Sequence, residues 1–278
     1  MIKIEKNNIN LLETLTSGQC FRVYEESDNS FVVVLNDRVV NIKEENDCFV
    51  IKSNNEENLE FKIKEYLDYF TDYESINNEI IKSEEKFKKI IEEVNGYRIL
   101  NQDSFEMIIS YIISQNNNVK RIIKYIEVFS SIYGEKVIFR NKEYYLFPKW
   151  EVVKNLSIDD LKPLKIGFRD KYIISFIDFY KKNENLLREL DILDTNKAMD
   201  YLMMVKGIGP KVASCILLFG FHRFDTFPID TWVKKFLKDY YSIDGDVKFM
   251  QSKLKKIFGR NSGIAIQYMF HYNRNKML

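Results

Sequence analysis

The sequence predicts an α+β fold. A small N-terminal antiparallel β-sheet domain with a helix spans residues 1–85, and a mostly α-helical body containing a helix-hairpin-helix spans 86–278, with two helical subdomains flanking a cleft. Three observations lead there. Short β-branched runs separated by polar turns occupy the first fifty residues. From Glu56 onward the apolar spacing lengthens to that of a helix. Late in the chain a Gly-x-Gly turn separates two helical runs. Strands followed by helices, rather than alternating with them, mark the α+β class.

Residues 31–35 and 39–42 flank Asn36-Asp37, a hairpin signal, and 48–51 follow a second polar turn, so the strands read as a meander. Leu59, Ile63, Tyr66, Leu67 and Phe70 suit one helical face. Beyond Ser83 the sequence reads as helices alone: 104–113, 119–133, 168–182, 195–204, 210–219, 230–240, 247–258 and 263–272. No internal repeat and no Pro- or Ser-rich linker interrupts them.

Composition narrows the function class. Hydrophobic residues make up 45% of 278 residues, enough for a sizeable core. No apolar run approaches the ~20 residues of a membrane span, and the N-terminus lacks a signal-peptide pattern. The expectation is a cytoplasmic monomer, nucleoid-associated in a prokaryote. Cys20, Cys48 and Cys215 are far apart and form no CxxC pair, which argues against a cysteine zinc site or an iron–sulfur cluster. With only His222 and His271, a histidine-cluster mechanism is nearly excluded. Net charge is +1, but residues 1–80 hold 8 Lys and Arg against 17 Asp and Glu, and residues 201–278 hold 13 against 5. The basic C-terminal part is where phosphates would be met, although an ordinary solvated surface has the same composition.

The chemistry concentrates between Leu202 and Cys215. A helix ends near Val205, Gly207 and Gly209 allow a tight turn, and Pro210 suits the first turn of the next helix. Exposed amides of such a turn, with the helix N-terminus, form an anion site for a DNA backbone. Lys211 falls in the first turn of the second helix, where a cation is unfavourable relative to the helix dipole; partial burial would add to that and favour a nucleophilic amine. Alternatively it pairs with a phosphate. Nineteen residues on, Phe227-Pro228-Ile229-Asp230-Thr231-Trp232 places Asp230 just before an amphipathic run, so it is also a helix N-cap candidate.

Together these segments resemble the helix-hairpin-helix (HhH-GPD) DNA glycosylase superfamily, with Lys211 and Asp230 at the lysine and aspartate positions of its bifunctional members. The absence of any cysteine after Cys215 fits poorly with the branches that carry a C-terminal four-cysteine cluster, and Lys211 argues against the alkylpurine branch. The 8-oxoguanine DNA glycosylase/lyase family fits best, over nearly the whole chain. The resemblance implies that the Gly18 carbonyl, in Thr16-Ser17-Gly18-Gln19-Cys20-Phe21-Arg22, accepts the N7–H of 8-oxoguanine. It implies that Asn116 fills the gap left by the flipped nucleotide, that Arg121 and Arg169 read the orphaned cytosine, and that Phe168 wedges beside the opposite strand. Phe270 would stack on the extruded base with Cys215 on its other face. Gly207, Gly209 and Trp232 would contact the DNA. The glutamine expected on the base edge falls at Ile266, with Gln267 next to it, about a hundred degrees round the helix.

The implied partner is double-stranded DNA containing an oxidised purine, and the implied chemistry requires no metal or organic cofactor. Two alternatives stay open from sequence: a non-catalytic helix-hairpin-helix DNA-binding protein, and a related glycosylase with another lesion or opposite-base preference.

Overall fold

A computed structural model describes residues 1–275. Five strands form an antiparallel sheet: β1 (Ile2–Glu5), β2 (Val23–Glu25), β3 (Phe31–Val34), β4 (Val39–Glu45) and β5 (Cys48–Ser53), in the order β1-β5-β4-β3-β2. The Asn36-Asp37 signal does close a hairpin, with Val34 opposite Val39. β1 returns to pair with β5, Ile4 opposite Phe49, so the meander gains an edge that local sequence does not announce. A short helix, Leu11–Thr16, lies between β1 and β2.

Both faces of the sheet are covered. Phe31, Val33, Val40, Ile42 and Ile51 pack on one side against Leu59 and Ile63 of the helix Leu59–Tyr66. Val32, Val34 and Val39 point the other way, onto Val137, Phe139 and Tyr144. Those last residues belong to a second hairpin, β6 (Lys136–Phe139) and β7 (Lys142–Tyr145), inside the stretch that reads as helices alone. Its turn residues Arg140 and Asn141 both take positive φ, the geometry that fits strand twist, without a glycine to signal it. A sheet buried on both sides explains why all four residues of β3 are buried.

Phe70 departs from its expected face. The helix stops at Tyr66, Asp68 turns the chain with φ +56°, and Phe70 is left 65% exposed beside Phe61.

The helical body folds round one large core. The helix Ser104–Ser114 is buried along nearly its whole length and packs against the helix Pro210–Gly220. The helices Tyr73–Ser83 and Phe87–Glu93 contribute Tyr73, Ile80, Phe87 and Ile90 to this core. Each large apolar side chain so buried contributes roughly 1.5–3 kcal/mol. No helix among the described residues is long and apolar enough to cross a membrane.

A polar seam joins the sheet to the body. Gln19 accepts the Leu100 N–H at 2.9 Å through Oε1 and donates to the Arg98 carbonyl at 2.9 Å through Nε2. Gln102 donates to the Gln19 carbonyl at 3.0 Å. Beside them, buried Arg22 and Glu106 form an ion pair at 3.4 Å, and Arg22 also donates to the Tyr145 carbonyl. Burial pushes the Glu106 carboxyl up to about 7, against the pull of Arg22 and with a smaller push from Asp103.

That shift sets a pH dependence. Between the ordinary value of 4.5 and about 7 the folded state holds a proton that the unfolded chain has released, so stability falls as pH rises through this window. The unfolding free energy of wild type minus that of Glu106→Gln is expected to decline by on the order of 1–3 kcal/mol from pH 4.5 to 7, then level off. Denaturant titrations at stepped pH measure it, and a difference that rises with pH would contradict the assignment.

Candidate active site

The helix-hairpin-helix is formed by Thr195–Met203, a turn over 204–209, and Pro210–Gly220. Asp194 caps the first helix by accepting the Lys197 N–H at 3.1 Å. The turn tightens through Val205 N–H to Leu202 and Ile208 N–H to Val205, at 3.1 and 3.0 Å. Gly207 has φ +97°, and a Cβ there would lie 2.2 Å from Cγ of Tyr172. Glycine is therefore required twice over, by backbone conformation and by the approach of a ring. Gly209 differs from expectation: its φ of −99° is open to any residue. The space round its absent Cβ is empty to 4 Å, so what it leaves is access to the backbone. Gly209 is the N-cap of the second helix and supplies no side-chain cap, so the first-turn amides are free for an outside acceptor.

Lys211 follows Pro210 in that first turn and is exposed, so burial adds nothing to the effect of the helix dipole. One turn further along the same face, Cys215 is buried. Burial pushes the Cys215 thiol up to about 12; the Lys211 charge pulls it down and the Asp230 carboxylate adds to the rise. Lys211 and Asp230 thus act on one buried point from two different helices. Asp230 is the N-cap of the helix Thr231–Tyr241, and its Oδ1 accepts the N–H groups of Trp232 and Val233 at 3.0 and 2.9 Å.

A second cluster lies where the helix Ser104–Ser114 ends. Asn116 is exposed with φ +47°, and Asn118 caps the next helix, Val119–Tyr133, through the Arg121 N–H at 3.0 Å. Arg121 is exposed and donates to the Tyr125 hydroxyl at 2.9 Å. Arg169 is not a surface arginine: it is 7% exposed and donates to the carbonyls of Gln115, Asn116 and Ile166. A cation at a helix C-terminus satisfies its orphan carbonyls and its dipole together. Burial lowers the Arg169 guanidinium from its ordinary value and the Arg121 charge lowers it further, so the two arginines lie within electrostatic reach of each other. Beside them Phe168 stands 47% exposed, with the Arg169 guanidinium 4.6 Å from its ring. Its edge meets Tyr172 at 5.5 Å between centroids, the same ring that packs on Gly207.

A cavity of about 470 Å³ opens between the helices Thr231–Tyr241 and Ser262–Asn275, walled in part by Trp232, Phe236, Met269, Phe270 and Arg274. Its size suits a small aromatic ligand. Phe270 is among its walls, and Cys215 is buried and is not among them. Ile266 is fully buried in the core and offers the cavity no polar atom. Gly18 has φ +90° and lies beside both Val119 and Arg274, so the loop from the sheet meets the helical body at this cavity's edge.

The 8-oxoguanine DNA glycosylase N-terminal domain family matches residues 1–108, and the HhH-GPD superfamily of base excision DNA repair proteins matches 109–260. The structure of MBOgg1 in complex with a low-affinity DNA ligand superposes with a TM-score of 0.91 at 36% identity, covering 99% of this chain and 94% of that one. This chain belongs to the 8-oxoguanine DNA glycosylase/lyase family of the HhH-GPD superfamily. The Clostridium acetobutylicum 8-oxoguanine glycosylase/lyase, in complex with dsDNA containing cytosine opposite 8-oxoG, superposes at 0.90 with 33% identity, covering 99% and 94%. The N-glycosylase/DNA lyase of Saccharomyces cerevisiae is 29% identical over 275 residues, 88% of this chain and 72% of that protein.

Two residues of this family member escape a reading of sequence motifs. Tyr172 links Phe168 to the hairpin, and its only sequence signal is its place four residues after Phe168. Arg274, four residues after Phe270, reaches back to the carbonyls of Thr16 and Ser17.

The Gly207 contact yields a prediction. Gly207→Ala is expected to destabilise the fold by about 1–3 kcal/mol, through the positive φ and the collision with Tyr172. Adding Tyr172→Ala should relieve the collision but not the backbone strain. Thermal unfolding of the single and double variants checks this, and an unchanged Tm for Gly207→Ala would contradict it.

Proposed function

We propose that this chain excises 8-oxoguanine opposite cytosine from duplex DNA and cleaves the abasic strand through a Schiff base on Lys211. The observation that carries this reading is exposed Lys211 in the first turn of a hairpin helix whose N-terminus has no side-chain cap, with Asp230 at the N-terminus of the next helix. A DNA-binding module without catalysis needs the glycine turn but neither of these two side chains.

The target base lies inside the stack, so the nucleotide must flip out at a cost of a few kcal/mol. Stacking on Phe270 and filling of the gap by Asn116 offset it. The hairpin amides behind Gly207 and Gly209, with Trp232, grip phosphates and carry no sequence information. Arg121 reads the orphaned cytosine, and Arg169 serves the same strand from the fixed place its carbonyl contacts give it, next to the Phe168 wedge. The Gly18 carbonyl accepts the N7–H that 8-oxoguanine has; guanine presents a lone pair there. Ile266 adds shape and no hydrogen bond to base recognition.

As the C1′–N9 bond breaks, positive charge develops on the sugar and the Asp230 carboxylate stabilises it. The Lys211 amine attacks C1′, the base leaves with the bonding pair and takes up a proton, and ring opening gives the Schiff base. Water takes the C2′ proton, and the C3′–O bond breaks with its electron pair to expel the 3′ phosphate.

Borohydride with an 8-oxoguanine·C duplex is expected to trap a covalent adduct in wild type and none in Lys211→Gln; an adduct that survives the substitution defeats the lysine assignment. Asp230→Asn separates cap from catalyst. Asparagine caps as well as aspartate, so stability should hold while single-turnover excision drops about 10²–10³-fold. Arg121→Ala should flatten the preference for cytosine in a panel of all four opposite bases; a wild type that prefers adenine would refute the cytosine-reading role.

A further inference from the structure

We infer that Arg274 is a positioning residue for lesion recognition, holding the Gly18 carbonyl in a fixed place relative to the Phe270 ring. This rests on the reading of Gly18 and Phe270 proposed above and adds the element that makes it selective.

Arg274 lies one helical turn beyond Phe270 and walls the same cavity. Its Nη2 donates to the Thr16 carbonyl at 2.8 Å and its Nη1 to the Ser17 carbonyl, the two peptide oxygens immediately before Gly18. These are also the last carbonyls of the helix Leu11–Thr16, where a cation is favoured. On the other side of Gly18, the Gln19 side chain and carbonyl are tied to Arg98, Leu100 and Gln102. The Gly18 peptide is therefore anchored from both directions, by the last helix and by the segment 98–102. At φ +90° it occupies a conformation that glycine alone adopts freely.

Guanine and 8-oxoguanine share the base edge opposite Ile266 and differ at N7, so discrimination between them falls on one carbonyl that meets a proton in the second and a lone pair in the first. Hydrogen-bond energy falls steeply with misalignment, and a recognition atom selects only as well as its supporting contacts hold it. Arg274 joins that atom to the helix that carries the stacking ring, so base plane and reader move as one body.

The test uses the full chain carrying Lys211→Gln, which binds without turning over, and compares Kd for 8-oxoguanine·C and G·C duplexes. Adding Arg274→Ala is expected to reduce the ratio of the two constants about tenfold, the worth of one hydrogen bond, and Arg274→Lys, which keeps one donor, to restore part of it. With Lys211 intact, Arg274→Ala should slow 8-oxoguanine excision far more than cleavage of a preformed abasic duplex, where there is no base to read. An unchanged ratio in folded Arg274→Ala, or equal slowing of both reactions, overturns the inference. If Arg274→Ala melts below the assay temperature, Arg274→Lys decides alone: a ratio equal to that of the Arg274 parent overturns it, and a reduced one supports it. A parent that does not distinguish the duplexes refutes the base-reading role of Gly18 itself, and this inference with it.

Discussion

The Tyr172 ring fills the volume that a side chain at position 207 would occupy, and this one contact ties together parts of the site that are distant in sequence. On one side of the ring is the hairpin turn, whose shape sets the direction of the helix Pro210–Gly220 and with it Lys211 and Cys215. On the other is Phe168, and through Arg169 the carbonyls of Gln115 and Asn116. The face that would meet the opposite strand and the face that would meet the sugar are therefore set by a single packing interface. Movement of the turn by even a fraction of an ångström would move both.

A second tie runs through polar groups. The sheet joins the helical body through Gln19, Arg22, Gln102 and Glu106, all buried. Buried polar atoms are expensive unless paired, and pairing makes them directional, so such a seam fixes a relative placement that apolar packing alone would leave looser. Arg22–Glu106 is an uneven member of it: desolvation outweighs the arginine's pull on the carboxyl, and the pair contributes more to placement than to stability.

Much of this architecture was legible in the sequence where the signal is local. Periodicity over 119–133 and 247–258 marks helices whose bounds the structure reproduces, and the Gly-x-Gly-Pro-Lys run places Lys211 in the first turn of its helix. Asp230 reads as a cap and is one. What stayed hidden depends on partners far along the chain. The hairpin at 136–145 has no glycine in its turn and covers a sheet a hundred residues earlier. Arg169 is buried against main-chain carbonyls, a partner every sequence offers equally. Arg274 meets Thr16 and Ser17 across almost the entire length of the protein. Phe70 was misplaced because helical spacing continues past the point where Asp68 turns the backbone.

The three cysteines sort themselves by the same burial. Cys20 lies inside the sheet domain and Cys215 beneath the site, and burial pushes both thiols up to about 12, so neither offers a thiolate at neutral pH. Cys48, at the start of β5, is the partly exposed one. A maleimide dye would therefore attach where the turn from β4 enters β5, opposite Glu45 and Glu5. The native chain already carries a single labelling handle for following DNA engagement by fluorescence, without cysteine engineering.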